Sequence, residues 1–349
     1  MKGLRFLVLF ALLAVLLVGA CDDDDSGNSG DGATPTAEEG TPSAGGNLRI
    51  VTTVSPITSI AENIGGTMID VEGIIPEGVN SHTYEPAPSV AALLSDADLI
   101  VVNGLDLEDP TVALAESSKQ ADTAILMLGN ETITEGEYQY DFSFPEADGH
   151  PNPHLWPNPL YGLKYAELIR DKLVELDPDN ADYYDANLEA FRTQIEDIDQ
   201  RMMDAVQTVP EANRKLLTYH DSWAYWAPRY GFVVIGAVQP SDFSEPSAQE
   251  VADLIDQVQE EQVPAVFGSE VFPSDVLETI AEEGGAEFID DLRDDDLPGA
   301  PGDANHTYVG LLLQNMEIMM PALGGNADAF EGYDPTVVFE GESSAVYPQ

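Results

Sequence analysis

From Asn47 onward the chain alternates short apolar, β-branched runs with amphipathic stretches. LRIVTTV, IDVEGIIP, DLIVVNG and TAILMLG read as strands, and SPITSIAENIGG, PSVAALLSDA and DPTVALAESSKQA as the helices between them. A second series repeats the pattern, with KLLTY, FVVIGAV, PAVFGSE and AEFID as strands and PSAQEVADLIDQVQEE as its clearest helix. Strands this apolar lack the alternation of a half-exposed sheet, so they belong in parallel sheets covered by helices on both faces. Between the two series, NADYYDANLEAFRTQIEDIDQRMMDAVQ sets Leu188, Phe191, Ile195, Ile198, Met202 and Val206 at helical spacing without proline or glycine. The expected architecture is α/β with two lobes, each a parallel sheet flanked by helices, joined by one long rigid helix. A helix folded into either lobe would show the same periodicity. Ligands of open parallel sheets bind beyond the carboxyl ends of the strands, which is where polar residues deserve a search.

The ends of the chain differ from this body. Lys2 and Arg5 precede an apolar run from Phe6 to Ala20, too short to span a bilayer comfortably, which reads as a secretory signal over residues 1–20. Leu17-Val18-Gly19-Ala20-Cys21 resembles a bacterial lipobox, which makes Cys21 the expected lipidation site. Residues 21–46 are rich in Asp, Gly, Ser and Thr with almost nothing to bury, and read as an acidic flexible tether. The expected divisions thereafter are an N-terminal lobe over 47–180, the linking helix over 181–208, a C-terminal lobe over 209–325 and an extension over 326–349. No role is assigned to the tail of that extension, YDPTVVFEGESSAVYPQ, which reads as flexible.

Charge narrows the partners. With 64 acidic and 13 basic residues the formal net charge is −51, so nucleic acid is excluded as a partner and a solvated acidic coat is expected. Any cation-collecting field from that coat reaches only about 8–10 Å at ordinary ionic strength. Cys21 is the single cysteine, so there is neither an internal disulfide nor a thiolate metal site, and a metal would have to be held by histidine and carboxylate.

The stretch HPNPHLWPNP places His150 and His154 four residues apart, the separation of a helical metal pair. Its four prolines forbid that helix and impose extended or turn backbone, so local spacing presumes at most one ligand here. His82 follows the strand IDVEGIIP, His154 precedes a helix beginning near Tyr161, and His220 ends the strand KLLTY. Asp290 ends the strand AEFID. Three imidazoles and one carboxylate suit a four-coordinate zinc(II) site, whereas calcium or magnesium would require more oxygen donors.

Four segments, SHTYEPAPSVAALLSDADLIVVNGLDLE, NPHLWPNP, YHDSWAYWAPRYG and FIDDLRDDDLPGAPGDANHTYVGLLLQN, occur in order between Asn47 and Leu323. Together they resemble the signature segments of the zinc/manganese solute-binding proteins of ABC transporters. The resemblance implies a metal site in the cleft between two α/β lobes joined by a long helix. It implies His82, in an HxYEP segment, as the first ligand and His154 as the second. His220 is the third, at a position where manganese-type members often carry glutamate, and Asp290 is the fourth, with Asp291 as its register rival. Asn152 and Asn158 depart from the aspartates usual at those positions, and are expected to form turns or orient His154. The histidine-rich loop of many zinc members is nearly absent, leaving only acids and His150.

The function so implied is an extracytoplasmic lipoprotein receptor that captures zinc(II) and delivers it to an ABC permease. It would act as a monomer, anchored through Cys21 at the outer face of the cytoplasmic membrane or in the periplasm. Manganese(II) or iron(II) as cargo, or a metal-binding surface adhesin, are the alternatives. A catalytic role is disfavoured: a closed four-ligand site leaves no position for an activated water, and no G-x-S-x-G, H-E-x-x-H or phosphate-loop segment occurs.

Overall fold

The apolar runs form two parallel sheets in the computed structural model, which describes residues 46–271, 275–290 and 292–349. Strands β1 (Leu48–Thr52), β2 (Ile69–Gly73), β3 (Leu99–Val102) and β4 (Ala124–Met127) lie in the order β2-β1-β3-β4. Helices α1 (Ser55–Gly65), α2 (Val90–Ser95) and α3 (Asp109–Ser118) connect them, and the short α4 (Leu128–Thr132) follows directly on β4. Every residue of β3 is fully buried, as a central strand covered on both faces must be.

Two long helices come next. In α5 (Pro159–Leu176) the first turn is set by sequence: Asn158 accepts from the Leu160 amide at 3.1 Å, and Pro159 occupies a position where no amide hydrogen is needed. Helix α6 (Ala181–Val206) buries Tyr184, Leu188, Phe191, Ile195, Ile198, Met202 and Val206 along one stripe. That stripe packs against α1 and α5, and α6 also meets α10 (Tyr308–Ala322), so the long helix is embedded rather than free-standing.

The second sheet repeats the winding of the first. Strands β5 (Lys215–Thr218), β6 (Val233–Ala237), β7 (Ala265–Phe267) and β8 (Glu287–Ile289) lie in the order β6-β5-β7-β8. Their connections carry α7 (Ala227–Tyr230), α8 (Ala248–Glu261) and α9 (Asp275–Gly284). Helix α8 starts at a capping box, with Ser247 and Glu250 each serving the other's backbone amide. One apolar cluster runs through both halves, from Ile50 and Val101 to Trp226 and Phe267. A smaller one, including Val258 and Ile280, fills the far side of the second sheet.

The segment after α10 does not trail away. It crosses α6, where Tyr333 donates to the Gln194 carbonyl at 2.9 Å, and ends beside β2 in a parallel bridge between Glu72 and Val346. Cys21 lies outside the described residues. Among the described residues no helix is long and apolar enough to cross a membrane.

Candidate metal centre

Three histidines converge where carboxyl-terminal strand ends of the two sheets face one another. The loop leaving β2 carries His82 in a single tight turn, Ser81–Thr83, where the His82 amide donates to Asn80 Oδ1 at 2.9 Å. His220 follows β5 after one residue, and His154 comes from the proline-rich segment before α5. Asn103, at the end of β3, donates to the Pro153 carbonyl at 3.0 Å and so pins that segment to the first sheet. His82 Nε2 lies 3.2 Å from His154 Nε2 and 3.2 Å from His220 Nε2, and the three donor atoms all fall within 4.8 Å of one another.

Partners on the far side of two rings decide which nitrogen points inward. Asn152 Oδ1 accepts from both the backbone amide of His154, at 3.0 Å, and its Nδ1, at 2.8 Å. Because Asn152 Nδ2 donates to the Asp221 carbonyl at 2.7 Å, the amide cannot be turned round, and His154 Nε2 must present its lone pair. His220 Nδ1 pairs with Asp294 Oδ2 at 2.6 Å, within a buried pocket that also lets Ser222 donate to the same oxygen at 2.6 Å. Such partners orient an imidazole and raise its basicity.

Protonation follows from this arrangement. Burial, then the charge on His220, hold His82 well below the usual histidine range, against a weaker opposing pull from Asp294. Burial, His220 and His82 do the same to His154. Burial also opposes a charge on His220, but Asp294 overrides it and pushes the group up to about 9. Two rings that burial keeps neutral therefore face a third whose proton is held by Asp294.

Aromatic rings enclose it. Phe243 stacks on His82 with centroids 4.6 Å apart and planes 20° apart, Phe144 tilts against the same ring at 5.5 Å, and Trp156 meets His154 edge-on at 5.2 Å. Trp156 also donates to the Asp294 carbonyl at 2.7 Å, tying the second histidine's segment to the acidic loop. Outside lies a cavity of about 620 Å³ lined by His82, Asp106, Phe144, Asp148, His150 and Phe243.

The structure brings together His82, His154 and His220 and leaves both Asp290 and Asp295 outside that tight group. Asp290 is exposed at the end of β8, against Gly268. Asp291 lies outside the described residues. Later in the chain Asp294 meets His220, and Asp295 and Asp296 are buried beside it, a run within the very segment that carries the family resemblance. Glu270 Oε1 accepts from all three amides of that run, at 3.1, 3.3 and 3.0 Å, which fixes its course. Asp295 Oδ2 accepts from Ser81 at 2.6 Å, while Oδ1 is buried without a hydrogen-bond partner. Burial and Asp294 push Asp295 up to about 6, with His220 pulling the other way. His150 stands apart at the exposed rim, its Nδ1 2.7 Å from Asp106 Oδ2.

Residues 50–322 match the family described as zinc-uptake complex component A, periplasmic. A manganese-binding lipoprotein MntA of Halalkalibacterium halodurans is 31% identical over 93% of this chain and 99% of its own. A high-affinity zinc uptake system protein ZnuA of Bacillus subtilis is 29% identical over 90% and 97%. An iron-binding protein YfeA of Yersinia pestis is 30% identical over 79% and 86%. Among solved structures, the periplasmic zinc-binding protein TroA of Treponema pallidum superposes with a TM-score of 0.72 at 25% identity, covering 80% of this chain and 99% of that one. A crystal structure of ZnuA gives 0.67 at 31% identity, over 80% and 100%. The names divide among three metals, so kinship speaks for metal binding and not for one ion. By the extent of the sequence match and the shared double sheet, the chain belongs to the periplasmic zinc-uptake component A family of metal-binding transport proteins.

Proposed function

We propose that this chain is the lipid-anchored receptor of an ABC importer, that its cargo is zinc(II), and that His82, His154, His220 and Asp295 hold the ion. The carrying observation is the spacing of the imidazole nitrogens. Tetrahedral zinc with nitrogen bonds of about 2.0–2.1 Å needs donor atoms about 3.3 Å apart, and two of the three separations are 3.2 Å. Two inward Nε2 atoms at that distance share at most one proton, so a cation relieves their lone-pair repulsion. Asp295 supports the reading as the fourth donor, because its unsatisfied buried oxygen belongs to a carboxylate that interacts with His220. A borderline ion matches three imidazoles and one carboxylate better than an oxygen-seeking one. Cys21 would carry the lipid, the permease would take the ion, and the receptor would work as a monomer outside the cytoplasmic membrane.

Isothermal titration with zinc tests the ligand set. His82→Ala, His154→Ala, His220→Ala and Asp295→Asn are each expected to weaken binding about 100-fold or more, and Asp290→Asn to leave it unchanged. Retained affinity in Asp295→Asn together with its loss in Asp290→Asn would reverse the assignment. Metal content of receptor recovered from its native envelope tests the cargo: predominant manganese or iron would overturn zinc.

A further inference from the structure

The residues after α10 lie beyond the region that matches the family, yet they make the contacts of a built element. Strand β2 is an edge of the first sheet, with unpaired backbone groups along one side. The tail covers that side: Val346 donates to the Val71 carbonyl at 3.0 Å and accepts from the Gly73 amide at 3.0 Å. Gly73 permits this approach, since a Cβ there would meet Thr58 Oγ1 at 3.0 Å and Pro348 Cδ at 3.2 Å. Tyr347 is 9% exposed, donates to Glu62 at 2.5 Å, and sets its ring edge-on to His306 at 4.6 Å.

Beyond β2 the tail keeps company with the loop that carries His82. The Pro348 carbonyl accepts from the Glu77 amide at 3.1 Å, and the Gln349 side chain donates to Glu77 Oε2 at 3.1 Å. Glu77 Oε1 in turn accepts from the Leu297 amide at 3.3 Å, and the next amide, Gly78, donates to Asp296 at 2.6 Å. The loop is thus held between the tail on one side and the acidic run on the other, and Ser81 and His82 follow directly.

We propose that residues 344–349 form a strap that positions the His82 loop, so that retention of the metal depends on a segment outside the family's common body. The inference rests on His82 being a ligand, as proposed above, and its test separates the two ideas. Val346→Pro removes the amide that pairs with Val71, and Tyr347→Ala removes the buried anchor; the double variant is compared with Val346→Ala, which keeps the backbone donor on a half-exposed residue.

Amide exchange is followed first in the intact, metal-free protein. The double variant is expected to speed exchange at Glu77, Gly78 and His82 about tenfold, the size of one or two net hydrogen bonds, with β3 and β5 unchanged and Val346→Ala matching wild type. Zinc release to a chelator should then quicken about fivefold. A tail that stays protected, or a released tail with unchanged exchange at residues 77–82, overturns the strap. Faster exchange with wild-type zinc release overturns its hold on the ligand. Failure of the wild-type protein to bind zinc counts against the proposed cargo alone, because exchange without metal still judges the strap.

Discussion

Replacing Asn152 by aspartate restores the residue expected at this position in the family and should destabilise this chain. Asn152 Nδ2 donates to the Asp221 carbonyl at 2.7 Å and to Asp141 at 3.2–3.3 Å. Asp141 is already pushed up to about 9 by burial and by Asp221, so these two carboxyls hold a proton between them. A third carboxylate would turn a donor into an acceptor beside both. It can rebuild the bond to the Asp221 carbonyl only by taking up a proton. For a group with an unfolded pKa of about 3.9, holding that proton at pH 8 costs at most about 5.6 kcal/mol, and at pH 5 about 1.5 kcal/mol. The sign follows: the variant's folded pKa is raised, so its stability is greatest below about pH 4 and is lost as pH rises towards the folded value. Urea denaturation of metal-free Asn152→Asp against wild type is therefore expected to show a deficit of about 3–5 kcal/mol at pH 8 that shrinks to about 1–1.5 kcal/mol at pH 5. A deficit independent of pH, or below about 1 kcal/mol at pH 8, would refute the reasoning.

Three further outcomes follow from the geometry. Phe243→Ala removes the ring stacked on His82 at the cavity mouth, and its φ of +57° is a strained conformation that the fold maintains there; zinc association and release should both quicken about fivefold at unchanged affinity, while slower release would contradict a gating ring. His220 pairs with Asp294 and sits at about 9 against an ordinary 6.5, so its contribution to the metal-free fold is full below about pH 6.5 and lost as pH rises through 9. Zinc must then displace that proton: calorimetry in buffers of different ionisation enthalpy should find about one proton released per zinc at pH 8, and clearly fewer in Asp294→Asn, equal counts telling against the pair. Phe191→Ala empties a fully buried position on α6 against Tyr308 and should cost about 3–5 kcal/mol in chemical denaturation; a loss under about 1 kcal/mol would mean that the helix is not packed as described.

What could be read from the chain and what could not divide along physical lines. Continuous apolar runs such as LIVV and the period of Leu188 to Val206 are properties of neighbouring residues, and both sheets and α6 were legible from them. The three histidines were legible because each follows a strand end or opens a helix within a distinctive segment. The proposed fourth donor, Asp295, was not, because AEFID ends in aspartate at the position where a strand-end rule looks, whereas the buried acids come later and are drawn in by Glu270 through three backbone amides. That bond set joins residues from different strands and leaves no local pattern. The same holds for Asp141 beside Asp221, and for α4, whose LGNET carries no amphipathic signature and continued the apolar run of β4. The role of Asn152 was half legible: its place beside His154 suggested orientation, but only the Asp221 carbonyl shows why an amide stands there.

The contact between Val346 and β2 also bears on the order in which the molecule can be made. Strand β2 is synthesised well before its partner, because Glu72 and Val346 lie far apart in the chain. Until Val346 and its neighbours emerge, the outer side of β2 stays unpaired, the feature by which incomplete chains find one another and aggregate. The body can be complete in every other respect and still be unfinished. Anything that holds residues 344–349 away from β2 would leave that edge exposed for as long.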